Sequence, residues 1–215
     1  MNKQTHQLNI LGPDALSLDS VDYPSMGSKD LIVAIKYCGI CGTDLSYISS
    51  GGLMGPQKDP MPLGHEMSGT VIEIGTDVKD ININDRVAIN PMGNNNSIGN
   101  GGPEGGMTNF LLVKNAVLNE SIFKLPDEMS FEIGALIEPF AVALRTINRS
   151  NLDQDAKIAV CGLGCIGFSV VTLLSYFGYK NIIAIDLYNL RVSNANELDA
   201  VKAYSDWESF SNALK

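Results

Sequence analysis

The chain has 215 residues, enough for one large domain or two modest ones and for a sizeable buried core. Its formal charge of −9 and pI near 4.6 argue against nucleic-acid and anionic-membrane partners, both of which would repel it. Four cysteines, Cys38, Cys41, Cys161 and Cys165, do not make a disulfide-dense secreted scaffold.

The start, MNKQTHQLNI, lacks the apolar core and small-residue cleavage site of a secretory signal and reads as a polar tail with His6 exposed. The longest apolar stretch, 158–185, is broken by glycines, Lys180 and Asn181 and is not read as membrane-spanning, so a soluble, cytoplasmic protein is expected. Residues 30–37, DLIVAIKY, alternate apolar and polar as a half-buried strand does. SGTVIEIG and DRVAINP read the same way, and MTNFLLVKN and SIFKLPD add two short strands. Little before residue 125 has a helical period, so this region is predicted mostly β. Within it, residues 92–106, MGNNNSIGNGGPEGG, read as a solvated surface loop.

After Pro126 the pattern changes. Ser130 is placed to cap a helix whose apolar positions recur at helical spacing through ALIEPFAVAL. A strand, glycine turn, helix and second strand follow in AKIAVCGLGCIGFSVVTLLSYFGYKNIIAID, then a helix-like run over 188–198 and the short AVKAYS. CGLGCIG places Gly162, Gly164 and Gly167 in a G-x-G-x-x-G pattern between strand and helix, the context a dinucleotide turn requires. Gly162 allows the tight turn, Gly164 the approach of a pyrophosphate, and Gly167 close packing of helix on strand. Cys165 and Ile166 open the helix, whose free N–H groups face the phosphates, and Arg191 completes the expected cofactor set. Asp186 ends the second strand, where a carboxylate binds the ribose 2′-hydroxyls and repels a 2′-phosphate, so NAD is favoured over NADP. The bland alternative is a glycine-rich turn of another α/β protein, with Asp186 a solvated strand end.

CGICGTD, residues 38–44, has three readings: a redox dithiol, half of a four-cysteine zinc clamp, or one metal ligand beside a buried thiol. The last gains weight from His65 and Glu66 in PLGHEMSG. Zinc accepts sulfur, imidazole nitrogen and carboxylate oxygen, and a catalytic site keeps one position open, so Cys41, His65 and a carboxylate suffice. Glu138 is the other candidate carboxylate, because an unpartnered charge in ALIEPFAVAL is costly to bury. Asp44 is placed to orient His65, since metal-bound histidines donate their other N–H to a carboxylate.

KYCGICGTDLS, PLGHEMSGTVIEIG, DRVAIN, GGMTNFLLV, LPDEMSFEIGALIEPFAVAL and VCGLGCIG together resemble the zinc-dependent medium-chain dehydrogenase/reductase family, in order from about residue 30 to about residue 204. That family includes the alcohol, sorbitol and threonine dehydrogenases. The resemblance implies a mixed fold: a mostly-β GroES-like catalytic domain over 1–150, followed by the first half of an α/β Rossmann domain over 151–215. It implies Cys41 and His65 as ligands of the catalytic zinc, with Glu66 bound directly or exchanging with water. Glu138 stands in the EP block where the sorbitol and threonine branch has its glutamate, pointing to polyols and secondary alcohols; whether Glu66 or Glu138 is the direct ligand stays open. Thr43 matches the hydroxyl that hydrogen-bonds the substrate oxygen and starts a proton relay. The implied reaction passes hydride between such an alcohol and NAD.

Three departures from the family pattern carry expectations of their own. The region of MGNNNSIGNGG holds no cysteine, so one catalytic zinc and no structural zinc is expected. Ser46 stands where the family often has His, and a hydroxyl passes a proton but is no base near neutral pH, so the relay is altered. Only the first mononucleotide half is present, which makes the chain a fragment of a longer protein or a truncated product. Homo-oligomers common in the family would depend on the other half. Rival readings are a zinc-free quinone or enoyl reductase-like member and a catalytically incomplete fragment that binds dinucleotide or a partner. A thiol–disulfide oxidoreductase using Cys38 and Cys41 lacks the βαβ setting such a motif needs.

Overall fold

A computed structural model describes residues 4–214. The chain divides between Glu138 and Pro139 into two compact units.

The first unit is built on antiparallel strands. β1 (Gln4–Gly12) and β2 (Ala15–Asp22) form a hairpin, and β4 (Met61–Pro62) pairs with the far edge of β1. Residues 4–12 therefore form a strand where the sequence suggested a polar tail, whose first three residues lie outside the described ones. His6 is exposed as expected, but Thr5 and Ile10 beside it are buried, and tertiary pairing supplies an order that the local pattern does not announce. The main sheet has five strands in the order β7 (Phe110–Val113), β3 (Leu31–Gly39), β5 (Glu66–Ile74), β6 (Arg86–Ile89) and β8 (Ile122–Lys124). All five were legible as β segments. Leu31, Ile32 and Val33 are all fully buried in succession, so this end of β3 is covered on both faces. Leu31, Val33, Met67, Val71, Val87, Ile89, Leu111, Val113 and Ile122 make the core, each side chain worth about 1.5–3 kcal/mol on burial.

Two expectations for this unit are corrected. A helix, α1 (Gly42–Ser50), stands inside the region read as lacking helical period. Its sequence, GTDLSYISS, is short and rich in weak helix formers, so propensity hid it. Its ends explain it. The Asp44 carboxylate reaches back to the Cys41 backbone N–H at 2.9 Å, and Gly51 takes the left-handed conformation, φ 79°, that closes the C-terminus. The Gly/Asn stretch 92–106 is not a solvated loop either: Ile98 is 1% exposed and joins the core, and Gly93, Asn96, Gly99, Gly105 and Gly106 are buried. Asn96 adds a polar anchor beside Ile98, donating to the carbonyls of Gly93 (2.7 Å) and Lys114 (2.8 Å).

Near its end the unit has α2 (Phe131–Ala135), capped by the Ser130 hydroxyl, which accepts from Ile133 N–H as the sequence suggested. The Ser68 hydroxyl of β5 donates to the Phe131 carbonyl at 2.5 Å and fastens this helix to the sheet. α3 (Ile137–Ser150) follows directly, so Glu138 falls in its first turn.

The second unit is a three-stranded parallel sheet in the order β11 (Val201–Tyr204), β10 (Asn181–Ile185), β9 (Lys157–Cys161). α4 (Cys165–Tyr176) connects β9 to β10 and α5 (Asn189–Asn196) connects β10 to β11, with α6 (Trp207–Ala213) last. Ile147, Leu163, Val171, Leu174, Ile182, Ala184 and Val201 form its core. Two parallel β–α–β crossovers are what the strand–turn–helix–strand pattern predicts. Among the described residues no helix is long and apolar enough to cross a membrane.

Candidate functional site

The candidate metal donors sit on three local structures. β3 and β5 pair with Gly39 opposite Glu66, which sets the Glu66 carboxylate over the end of β3. A Cβ on Gly39 would lie 2.2 Å from Glu66 Oε2, so any side chain there would require that carboxylate to turn away from its present place. Gly39 was not singled out from sequence, although its place between the two cysteines of CGICG was the available signal. Two residues on, Cys41 caps α1, and His65 lies in the step from β4 into β5. One donor atom each from Cys41, His65 and Glu66 lies within 4.8 Å of the others. His65 is 5% and Glu66 4% exposed, while Cys41 is half-buried, leaving an accessible side.

Asp44 is fully buried and serves two neighbours. Oδ2 accepts from Cys41 N–H, and Oδ1 faces His65 Nδ1 at 3.4 Å. Those two facing atoms are buried and, lacking hydrogen-bond alignment, have no other partner among the described residues. With Nδ1 turned to Asp44, Nε2 is the nitrogen left for a metal. Burial by itself would depress the His65 imidazolium, but Asp44 and Cys41 outweigh it and lift the pKa from 6.5 to about 9. Burial pushes Glu66 above the ordinary carboxylate value, opposed by Cys41 and His65. It does the same to Glu138, where His65 opposes and Glu66 adds to the rise. Glu138 is thus near enough to feel both charges but lies outside the three-donor cluster.

The remaining residues of CGICGTD take separate places. Cys38 is no partner for Cys41: its sulfur packs against the main core, donates to the Gly39 carbonyl at 3.6 Å, and has its thiol pKa pushed by burial to about 12. Thr43, in the first turn of α1, is half-buried. Ser46 is exposed and its hydroxyl donates to the Gly42 carbonyl at 3.1 Å.

In the second unit the glycine turn has the expected form. Gly162 is left-handed at φ 91°, Gly164 caps α4, and a Cβ on Gly167 would lie 1.8 Å from the Gly162 carbonyl oxygen. Cys165 and Ile166 open α4 on exposed positions. Asp186 closes the turn from the end of β10. Its carboxylate accepts from Leu163 N–H at 2.7 Å, Tyr188 N–H at 2.9 Å and Arg191 Nη1 at 3.3 Å. The backbone donors of Tyr188 and Leu163, with Arg191, hold it below the usual carboxylate range. Arg191 also lies over the Tyr188 ring, 4.8 Å from its centroid. Three donors occupy Asp186, and a carboxylate has room for a further one. The bond to Leu163 was not foreseen; it ties the acidic residue to the glycine turn directly.

A β-rich unit carrying a Cys/His/Glu donor set is followed in the same chain by a β–α–β unit with a dinucleotide-type glycine turn. Comparison with known proteins places it further. Residues 27–127, which hold Cys41, His65 and Glu66, match the alcohol dehydrogenase GroES-like domain. The chain is 34% identical over 208 residues to (R,R)-butanediol dehydrogenase of Bacillus subtilis, across 86% of this chain and 59% of that protein. Against sorbitol dehydrogenase of Homo sapiens it is 33% identical over 210 residues, 90% of this chain and 58% of that one. The crystal structure of 2R,3R-butanediol dehydrogenase from Bacillus subtilis superposes with a TM-score of 0.81 at 30% identity, covering 95% of this chain and 64% of that one. In sequence and in fold the chain is thus similar to members of the zinc-dependent medium-chain dehydrogenase/reductase family. It spans less than two thirds of the length of these relatives.

Proposed function

We propose that the chain carries the catalytic metal site and the first dinucleotide-binding half of a zinc-dependent oxidoreductase that passes hydride between a secondary alcohol or polyol and NAD. The observation that carries this is the convergence of Cys41, His65 and Glu66 within 4.8 Å on buried or half-buried positions. One sulfur, one nitrogen and one oxygen donor suit zinc, and three protein ligands leave the open position of a catalytic rather than a structural site. When bound, the metal supplies Lewis-acid polarisation of the alcohol or carbonyl oxygen.

The chain's own residues do the rest of the work in this reading. Cys41 and His65 would hold the ion, with Glu66 of the three-donor cluster, or Glu138 nearby, as the carboxylate ligand. Asp44 fixes the imidazole by facing Nδ1. Thr43, on the accessible turn of α1, hydrogen-bonds the substrate oxygen and takes its proton, and Ser46 passes it outward. Gly162, Gly164, Cys165, Ile166 and Gly167 present backbone to a pyrophosphate, and Asp186 takes the ribose hydroxyls and disfavours a 2′-phosphate. Arg191 neutralises Asp186 from the side. In this reading the GroES-like catalytic domain is taken over 1–150 and the Rossmann half over 151–215, so that α3, which packs with the second unit, is counted with the first domain. One catalytic ion and no structural ion is expected, since 92–106 has no thiol.

Names of the relatives support the substrate class: butanediol and sorbitol dehydrogenases act on vicinal diols and polyols by their descriptions. The test is metal analysis with NAD reduction over a panel of diols and polyols, with and without a chelator. About one equivalent of zinc, lost together with turnover on chelation and on Cys41→Ala, is the expected result. A chain with no bound metal that reduces quinones or enones instead would overturn the reading.

A further inference from the structure

The Leu63–Gly64 segment leads directly into His65, and the 92–106 loop grips it. Gly99 sits at φ +63°, and a Cβ on it would lie 2.1 Å from the Gly64 carbonyl oxygen and 2.4 Å from its carbon. Gly106 N–H donates to that same oxygen at 2.8 Å, and Met107 N–H donates to the Leu63 carbonyl at 2.9 Å. A Cβ on Gly105 would meet the Leu63 carbonyl oxygen at 2.4 Å. From another side, a Cβ on Gly64 would lie 2.7 Å from Cys38 Sγ. The loop has little freedom to yield, because Ile98 is in the core, and Asn96 bonds Gly93 and both backbone groups of Lys114.

We infer that the 92–106 loop positions the metal centre, with Gly99 as the residue whose missing side chain sets the approach of the Gly64 peptide and hence the place of His65. The inference rests on the metal reading above. Ordinary contacts between such atoms begin at 3.4 Å, so a methyl group on Gly99 has to displace the Gly64 peptide, or the loop, by about 1 Å. Ligand distances in metal sites hold to within about 0.2 Å. A shift of that size in the peptide just before His65 is several times this spread and is expected to disturb the donor set. The glycines of this loop have a task beyond turning the chain, which composition alone cannot disclose.

The test compares the wild-type chain with Gly99→Ala and Gly101→Ala. Gly101 lies in the same loop at φ +84°, so alanine strains its backbone alike, but the added Cβ meets only the Leu53 side chain at 3.0 Å. Zinc affinity is read by competition with a chromophoric chelator, and donor geometry by the d–d absorption of the cobalt-loaded protein. Gly99→Ala is expected to weaken zinc roughly 10- to 100-fold and to alter the cobalt spectrum, with Gly101→Ala unchanged in both. Wild-type affinity within about twofold for Gly99→Ala, or equal loss in both variants, overturns the inference. Should Gly99→Ala not fold, Asn96→Ala loosens the loop without adding atoms at Gly64. Faster metal release supports the role, and wild-type release refutes it. A wild-type chain that binds no metal, or a Cys41→Ala variant that binds as wild type, refutes the metal reading itself and this inference with it.

Discussion

Asp186→Asn separates the structural duty of this residue from its duty towards a cofactor. In the folded chain Asp186 is 8% exposed and takes backbone hydrogen bonds from Leu163 on one oxygen and Tyr188 on the other. Asparagine has one carbonyl oxygen, so one of these N–H groups must face an NH2 group and lose its acceptor. A buried donor left unsatisfied costs about 1–3 kcal/mol, and the Leu163 bond is the more buried of the two. The carboxylate is held below its ordinary value of 3.8. A depressed folded value means that its stabilisation is complete above that ordinary value and is lost as the pH falls through the folded one. The wild-type advantage over Asp186→Asn is therefore expected to be full at neutral pH and to shrink only in strong acid. Trp207, the chain's single tryptophan, sits in α6 within this unit, 5.7 Å from Phe210 by ring centroids, so its fluorescence in urea follows the right part of the molecule. Equal midpoints for both proteins at pH 7, or a gap that persists undiminished to the acid limit, would falsify the argument.

Gly167→Ala puts a methyl group 1.8 Å from the Gly162 carbonyl oxygen, a backbone atom that cannot swing aside. An overpacking loss of about 1–3 kcal/mol and a collapse of NADH binding, followed by nicotinamide fluorescence, are expected; normal NADH binding would show that the turn yields. Glu104, in the 92–106 loop, has its carboxyl raised by burial to about 7, with Lys114 opposing. A raised acid stabilises the fold below its ordinary value of 4.5, and that contribution is lost as the pH rises through about 7. Glu104→Gln is expected to remove this slope and to gain on the order of 1–3 kcal/mol at pH 8, measured by thermal unfolding across the pH range. An unchanged slope would place the proton elsewhere.

Much of this was legible because the signals are local. The five strands of the main sheet follow from runs such as DLIVAIKY, and the glycine turn follows from spacing within one strand–helix junction. The α1 helix and the β1–β2 hairpin were not legible. α1 is sustained by Asp44 and Gly51 at its ends rather than by an apolar period, and β1 is ordered by its pairing with β2 and β4. The 92–106 stretch misled for a related reason: its order comes from the single apolar residue Ile98 in the core and from Asn96 bonding carbonyls, and neither makes a hydrophobic period.

By itself the sequence determined which chemistry is available: Cys41, His65, Glu66 and Glu138 as candidate donors, Asp44 near Cys41 in the chain, and three glycines with an acidic residue after the second strand. Tertiary structure alone decided how that chemistry is shared out. Strand register set Gly39 opposite Glu66 and brought that carboxylate, rather than Glu138, among the other donors. Helix capping turned Asp44 towards both Cys41 and His65, while Cys38 went into the core and away from any pairing. The physical reason is distance along the chain. Residue types are fixed one position at a time, but a donor set within 4.8 Å joins residues 41, 65 and 66, and only pairing between strands and a clamped loop can hold them there.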